Sequence, residues 1–299
     1  MTAIITGSTG FVGKNLIEYL NSSAIAYNIL TRDELNQKIY SKIEKDDSII
    51  HLAGKAHDLK KVSVPRSYYE INFELTKSLF DAFLVSDAKK FIYVSSVKAV
   101  ADYVEGGLLE TDHPNPDTHY GKSKLMAEQY IQNLLLPEGK SFYILRPCLI
   151  HGPGNKGNLN LLYQLISRGV PYPLGAFENR RSFLSVENLC FVIRELLMRD
   201  DIASGIYHVA DDEALSTNEL VKLIAEASGQ KPRLWKVNRN LIELLSKLGD
   251  ILKFPLNTER LSKLVENYVV DNSKLTKAIG CKLPVSARDG ILKTIRSFQ

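Results

Sequence analysis

Three evenly spaced glycines near the start of the chain constrain its fold more than any other feature. Gly7, Gly10 and Gly13 follow the short apolar stretch 3–6, and a stretch with the apolar spacing of a helix comes next. A strand, a glycine loop and a helix in this order predict a tight turn, a close backbone approach to a pyrophosphate and close packing of the helix on the strand. The amides at the helix start would face that anion. The expected dinucleotide contacts are Gly7, Thr9, Gly10, Phe11, Val12 and Gly13.

The end of the second predicted strand bears on which dinucleotide is bound. This strand, from about 26 to 30, leads into Thr31, Arg32 and Asp33. An acidic side chain here binds the ribose hydroxyls of NAD, whereas an arginine can neutralise the additional phosphate of NADP. Because Arg32 precedes Asp33, the sequence contains both the arginine that suits NADP and the carboxylate that suits NAD. The sequence favours NADP(H) through Arg32, with NAD(H) as the alternative.

The first half of the chain continues to alternate strands with helices. Strands are predicted at 48–52, 90–95 and 142–145, with helices at 67–86 and 119–136 between them. Such alternation predicts an α/β fold with a Rossmann-type doubly wound parallel sheet, whose ligands lie at the carboxyl ends of the strands. Further cofactor contacts are therefore expected from the strand ends, at Leu52, Ala53, Gly54 and Pro147.

Two lobes are expected. Residues 1–155, with 183–212 returning to the sheet, would form the dinucleotide-binding domain, and 156–182 with 213–299 a smaller substrate-binding lobe. The leucine-rich stretch 238–252 has helical spacing and is expected in the core of that lobe rather than on a membrane surface.

Composition excludes several other classes of protein. The 299 residues are 44% hydrophobic and 24% charged, without a low-complexity tract or repeat, as in an ordinary globular protein. The three cysteines are isolated, which suggests neither a disulfide framework nor a metal site. No apolar run is long enough for a membrane span, and a cytoplasmic location is expected. The net charge of +4 forms no evident basic stripe, so nucleic acid is not an expected partner.

Tyr120 and Lys124 are candidates for acid/base chemistry. They lie four residues apart in a predicted helix, so both side chains share one helix face. A free tyrosine titrates near ~10, and work near neutrality needs a pKa shift of roughly 3 units, or about 4 kcal/mol. One lysine does not readily supply that, and a second cation or donor is expected. Because this spacing is also common on ordinary helices, the rest of the chain must support the assignment.

An ordered set of segments resembles the extended short-chain dehydrogenase/reductase superfamily, and within it the nucleotide-sugar epimerase, dehydratase and reductase group. The resemblance covers nearly the whole chain, and its order is more specific than any single segment. The segments are 7–13, 47–54, Asn72 with Thr76, 91–96, 120–128, 146–147 with 152–154, and 181–189.

The resemblance implies roles for individual residues. Tyr120 would be the general acid/base, and Lys124 its partner, which also holds the nicotinamide ribose. The Ser96 hydroxyl would bind the reacting sugar oxygen, and an oxidised nicotinamide would be the second cation. Arg181 would reach the substrate diphosphate. The alternatives are that Arg181 forms a salt bridge on the domain surface and that the neighbouring Arg180 is the ligand.

Weaker roles are expected for a few polar residues. Lys98, Asn158 and Lys156 lie where they could contact the sugar, although lysines in such positions are more often plain surface charges. Asn72 resembles an asparagine of the family and is expected to be structural.

The chain departs from the family pattern in two places. Only about 20 residues separate Thr31 from His51, so a third strand should be shortened or lost, and 33–45 is predicted as one amphipathic helix. Adenine recognition in the usual manner is therefore in doubt. Dehydratases of the group have an Asp-Glu pair directly after the Ser96 position, and this chain has Val97 and Lys98. That argues against dehydration.

The resemblance leads to a functional expectation with two alternatives. The chain is expected to be an NAD(P)-dependent oxidoreductase acting at the 4-position of a nucleotide-linked, UDP-type sugar. A 4-ketoreductase of a UDP-4-keto-6-deoxy-acetamido sugar is favoured. A UDP-glucose or UDP-N-acetylglucosamine 4-epimerase is the first alternative, and a non-catalytic NAD(P)-binding protein is the second. Helices 67–86 and 119–136 are expected to form a homodimer interface, as in the family.

Overall fold

The computed structural model describes residues 2–37, 43, 47–55, 64–155, 157–252 and 257–299. The strands, in chain order, are β1 (Ala3–Thr6), β2 (Tyr27–Leu30), β3 (Ser48–His51), β4 (Lys90–Val94), β5 (Gly107–Leu108), β6 (Ser141–Pro147), β7 (Leu149–His151), β8 (Arg181–Ser185), β9 (Gly205–Val209), β10 (Ala214–Leu215) and β11 (Val269–Val270). The α-helices are α1 (Phe11–Ser22), α2 (Arg32–Asn36), α3 (Arg66–Tyr69), α4 (Leu75–Val85), α5 (His119–Asn133), α6 (Asn158–Ile166), α7 (Val186–Met198), α8 (Thr217–Ala227), α9 (Arg239–Leu252), α10 (Thr258–Val265), α11 (Ser273–Ile279) and α12 (Ala287–Arg296).

Six strands form a parallel sheet in the order β2-β1-β3-β4-β6-β9. The chain first moves from β1 to β2 on one side and then crosses to β3 on the other side of β1. The carboxyl ends of β1 and β3 therefore meet at a topological switch point, where open α/β sheets bind their ligands. The predicted Rossmann-type doubly wound sheet is confirmed.

Both faces of this sheet are covered by helices. Neighbouring strand residues point to opposite faces, so Ile4 packs in one apolar cluster with Phe80 of α4. Ile5 packs in another with Leu16 of α1 and Leu189 of α7. Burial on both sides explains why the central strands are continuous apolar runs.

The segment after β2 differs from the sequence prediction. A helix was predicted over 33–45, but α2 ends at Asn36 and Ile43 lies outside any helix. Positions 38–42 and 44–46, which complete that prediction, lie outside the described residues. The Thr31 side chain caps α2 in a capping box with Glu34. Among the residues that the structure describes, β2 is the outermost strand, as the short connection predicts.

The helix predicted over 67–86 is divided. A π-helical turn at Glu70–Glu74 separates α3 from α4 and holds Asn72 with its side chain buried. Such turns accommodate an additional residue in a helix and are frequent at functional sites. The apolar spacing around the turn still resembles that of an α-helix, which is why the sequence did not reveal it.

The rest of the chain adds a smaller sheet and a second core. Strands β10, β8 and β7 form a three-stranded sheet, and β11 pairs with β5. A separate apolar cluster joins Phe183 of β8, Ile224 of α8 and Ile291 of α12. Leu275 of α11 instead packs with the first core. The division into two domains given above remains a prediction.

Helix α9 contradicts the expectation that its leucines fill a core. Ile242 is buried, whereas four leucines at 241, 244, 245 and 248 are exposed. The buried side continues with Ser246 and Gly249, and α9 packs on its neighbour α10. Within the described parts of the chain, no helix combines the length and apolar character needed to cross a bilayer.

Candidate active site

The glycine loop lies between the carboxyl ends of β1 and β3. Gly7 has φ +72°, and a Cβ added there would lie 2.6 Å from the backbone nitrogen of Ala53. A Cβ added to Gly13 would lie 2.3 Å from the carbonyl oxygen of Gly7. Helix α1 starts directly after Gly10, which has no side chain to cover its first amides. The loop thus leaves room for an anion at a helix N-terminus, which fits the pyrophosphate of a dinucleotide.

A buried histidine connects the strand ends below this loop. The Nδ1 atom of His51 lies 2.7 Å from Thr6 Oγ1, and its Nε2 atom lies 2.9 Å from Thr76 Oγ1. Thr6 Oγ1 also accepts a hydrogen bond from the Ala53 amide. The Thr76 hydroxyl donates to the Asn72 carbonyl, so it accepts from His51, and Nδ1 must accept from Thr6. Burial lowers the pKa of His51 to about 3. The neutral ring therefore fixes the loop after β3 in place.

Asn72 attaches the same loop to α5. Its Oδ1 accepts a hydrogen bond from the Lys55 amide at 2.7 Å, and its Nδ2 donates to the Lys55 carbonyl at 3.1 Å. Nδ2 also lies 3.0 Å from Ser123 Oγ, one residue before Lys124. This bonding is what the sequence analysis expected of a structural asparagine.

Ser96, Tyr120 and Lys124 come together beside this loop. Helix α5 begins at His119, and a Thr118 cap places Tyr120 in its first turn. The Ser96 side chain, at the end of β4, hydrogen-bonds to Tyr120. The Nζ atom of Lys124 donates to the Val94 carbonyl at 2.9 Å. A Cβ added to Gly54 would lie 3.2 Å from that Nζ, so the lysine borders the loop after β3.

Burial sets the protonation states of the pair. It raises the pKa of Tyr120, and the hydrogen bond from Ser96 opposes that rise. It lowers the pKa of Lys124 to about 8, opposed by the negative charge of Glu128. Near neutral pH the phenol is therefore protonated and the lysine is charged. The edge of the Tyr68 ring packs against Tyr120, with centroids 6.3 Å apart.

A buried ion pair supports this helix, and the sequence analysis gave it no role. Glu128 accepts hydrogen bonds from the Arg146 guanidinium, at 2.6 Å from Nη2, and from the Ser95 hydroxyl. Both charged side chains are almost fully buried. Glu128 lies one turn after Lys124 on the same face of α5, so helical spacing was the signal that could have identified it. Tyr68 had no such local signal.

The predicted substrate cations Lys98 and Arg181 lie in one neighbourhood. The Nζ atom of Lys98 donates to the Asp102 carbonyl at 2.9 Å and lies 4.3 Å from the centre of the Tyr268 ring. Arg181 donates to the Glu266 carbonyl at 3.2 Å, and its Nη2 lies 3.2 Å from the Glu266 carboxylate. Burial lowers the pKa of both cations. Lys98 is thus not a freely solvated surface charge.

The other predicted site residues lie farther along the same strand edge or cannot be placed. Arg32 is the exposed first residue of α2, directly after β2, and Pro147 is the buried last residue of β6. Asn158 is the first residue of α6, and Lys156 lies outside the described residues. Arg180 is exposed, with its guanidinium 3.4 Å from the Ala214 carbonyl.

Curated relatives cover nearly the whole chain. A UDP-glucose 4-epimerase of Vibrio cholerae is 28% identical, over 99% of this chain and 94% of the relative. An N-acetyl-alpha-D-glucosaminyl-diphospho-ditrans,octacis-undecaprenol 4-epimerase of Escherichia coli O157:H7 is 26% identical, over 98% and 94%. A GDP-6-deoxy-D-mannose reductase of Pseudomonas aeruginosa is 26% identical, over 74% and 78%.

Solved structures share the fold at low sequence identity. A structure of MoeE5 in complex with UDP-glucose and NAD has a TM-score of 0.76 and 20% identity, over 99% of this chain and 98% of the other. A family profile tests membership more directly than a shared fold. The NAD dependent epimerase/dehydratase profile matches residues 3–210, so the chain belongs to the NAD dependent epimerase/dehydratase family.

Proposed function

We propose that this protein is an NAD(P)-dependent oxidoreductase acting at the 4-position of a nucleotide-linked sugar. The favoured reaction is the reduction of a UDP-4-keto-6-deoxy-acetamido sugar. The observation that carries the proposal is the hydrogen bond between Ser96 and Tyr120, with Lys124 one helical turn away beside Gly54 in the loop after β3. Relatives named as sugar 4-epimerases and as a sugar reductase support the same class of chemistry.

The proposed chemistry divides between a cofactor and the chain. A bound nicotinamide supplies the hydride that reduces the ketone carbon. Ser96 donates a hydrogen bond to the ketone oxygen and polarises it. Tyr120 gives its proton to that oxygen as the carbinol forms. The charge of Lys124 then stabilises the phenolate that remains.

Two features support reduction. Burial keeps Tyr120 protonated near neutral pH, which is the state that donates a proton to a ketone, whereas oxidation of a carbinol needs the phenolate. In addition, Val97 and Lys98 occupy the two positions after Ser96, where dehydration would require an acid and a base. The protonated Tyr120 thus favours reduction, and the residues after Ser96 argue against dehydration.

NADPH is the proposed electron donor. The pyrophosphate would lie on the loop from Gly7 to Gly13, and Arg32 would bind the phosphate on the adenosine ribose. The exposed position of Arg32 at the end of β2 supports this assignment, because a guanidinium forms paired bonds with phosphate oxygens. NADH remains the alternative.

The substrate would extend toward the second lobe. Arg181 would bind the diphosphate, and Lys98 with Asn158 would contact the sugar. Lys98 and Arg181 support this because hydrogen bonds within the protein already hold each side chain in a fixed orientation. Less side-chain entropy is then lost when the substrate binds. A 4-epimerase would use the same contacts, and two of the relatives that cover nearly the whole chain are named as 4-epimerases.

A set of parallel incubations separates the candidate reactions. Purified protein is mixed with a UDP-4-keto-6-deoxy-acetamido sugar and NADPH or NADH, and separately with UDP-glucose or UDP-N-acetylglucosamine and NAD. The proposal predicts stoichiometric oxidation of NADPH with the keto sugar, faster than with NADH. Interconversion of the UDP-hexoses without net change in the cofactor would replace the reductase assignment with the epimerase. Cofactor binding without turnover of any of these sugars would favour the non-catalytic alternative.

A further inference from the structure

Helix α9 presents an uncovered apolar face. Its four exposed leucines follow the spacing i, i+3, i+4 and i+7, which places them on one side of the helix. They are 42% to 55% exposed, at Leu241, Leu244, Leu245 and Leu248. The opposite side, through Ile242 and Ser246, is already buried in the protein. The leucines are therefore not needed to hold α9 in place.

Positive charge is concentrated in the part of the sequence that contains this helix. Residues 231–263 contain eight Lys and Arg against three Asp and Glu, a net charge of +5 in a chain whose total is +4. The chain therefore contains a basic stretch, contrary to the expectation that no basic stripe is evident. Lys236 and Lys247 are exposed. Trp235, which directly precedes Lys236, is 59% exposed. Leucines on one face, flanked by tryptophan and cations, are typical of helices that lie in a membrane interface.

We propose that α9 docks the protein on the surface of an anionic phospholipid bilayer. The leucine face would enter the boundary between headgroups and acyl chains, with Trp235 at headgroup level and the lysines near lipid phosphates. A second copy of this chain fits the face less well, because two segments of net charge +5 would repel one another.

The position of α9 connects this surface with the second lobe. Helix α10 packs on α9, and the Lys263 carbonyl near the end of α10 accepts a hydrogen bond from Arg181. At the other end, Arg239 donates to the Ala176 carbonyl at 2.8 Å and lies over the Phe177 ring. The docking face is thus fixed to the lobe that carries Arg181.

Vesicle co-sedimentation of the full chain tests the proposal. Vesicles of phosphatidylcholine with phosphatidylglycerol are compared with vesicles of phosphatidylcholine alone. We expect binding to the anionic vesicles, weakened by salt. We expect a loss of about tenfold or more in the double variant Leu244→Gln/Leu248→Gln, since two buried leucines are removed from the interface. Lys236→Glu/Lys247→Glu should also weaken binding.

Matched controls exclude unfolding and general stickiness. Leu135→Gln/Leu161→Gln removes two leucines that are 95% and 64% exposed elsewhere and should bind as the wild type does. The thermal unfolding midpoints of all variants should agree, because every substituted side chain is exposed. Absence of wild-type binding to anionic vesicles, or equal binding by the α9 leucine variant, would overturn the proposal. So would light scattering that shows these leucines holding a dimer together without vesicle binding.

Discussion

At the residue scale, the ionisation of Lys124 controls the proposed site most directly. Its pKa is lowered to about 8 by burial, so it is charged below that pH and neutral above it. The charge is expected to help hold the nicotinamide ribose and the phenolate. Affinity for NADPH should therefore fall as the pH rises through about 8, measured by NADPH fluorescence titration. Lys124→Met should bind weakly at every pH, and a flat wild-type profile would contradict the assignment.

His51 should make the protein sensitive to acid. Its pKa is about 3 in the fold and 6.5 in the unfolded chain, so between these values only the unfolded state takes up the proton. The free energy of unfolding should therefore decrease as the pH falls below 6.5, by about 1.4 kcal/mol per pH unit from this group. Urea unfolding should show a shallower acid dependence for His51→Gln. The exposed control His113→Gln should retain the wild-type slope, and an equally steep slope in His51→Gln would refute this role.

The sequence pointed to the proposed reacting groups more clearly than to the residues that support them. Tyr120 and Lys124 were found because one helix face carries both, and Ser96 through the resemblance to the family. Tyr68 and Tyr268 were not found, since each reaches the site through contacts between segments far apart in the chain. Local spacing does not record such contacts.

At the element scale, the packing of α1 on the glycine loop determines whether a dinucleotide can bind. A Cβ on Gly13 would lie 2.3 Å from the Gly7 carbonyl oxygen, so Gly13→Ala must displace the helix or the loop. We expect cofactor binding to be lost and the protein to be destabilised by about 1–3 kcal/mol, as for other overpacked sites. Calorimetric titration with NADPH and thermal unfolding measure the two effects.

Gly107→Ala is the matched control for that change. No atom lies within 4 Å of a Cβ added there, and its backbone conformation suits any residue. It should bind NADPH as the wild type does. If Gly13→Ala behaves like this control, the glycine loop is not the pyrophosphate site.

The helices and strands were largely predictable because apolar spacing and capping residues mark their bounds. Helix α8, for example, begins after Ser216, whose side chain forms a capping box with Glu219. The π-helical turn around Asn72 and the outward face of α9 were not predictable. Which side of an amphipathic helix is buried depends on the elements that pack against it. The sequence of the helix alone does not specify those elements.

At the scale of the whole molecule, a homodimer remains the expectation. Helices α4 and α5 lie side by side, joined by a 2.5 Å bond from the Tyr130 hydroxyl to Asp81, which also pairs with Lys77. We expect this pair of helices to meet its symmetry mate in a four-helix interface. Light scattering should give twice the chain mass, and Met126→Glu on the exposed side of α5 should give a monomer. A monomeric wild type would contradict the expectation.

The parallel character of the large sheet followed from the alternation of strands and helices, because parallel neighbours need helical crossovers. The pairing of β11 with β5 and the placement of β8 between β10 and β7 did not, since they join distant segments. The second lobe is therefore where sequence reasoning was weakest.

The central claim is that Tyr120 transfers the proton in a nicotinamide-dependent reduction of a sugar ketone. The most direct test is the single-turnover rate of NADPH oxidation with a UDP-4-keto-6-deoxy-acetamido sugar, in wild type and Tyr120→Phe. We expect Tyr120→Phe to bind NADPH with unchanged affinity and to oxidise it about 10²–10⁴-fold more slowly, since only the proton donor is removed. Equal rates in the two proteins would contradict it.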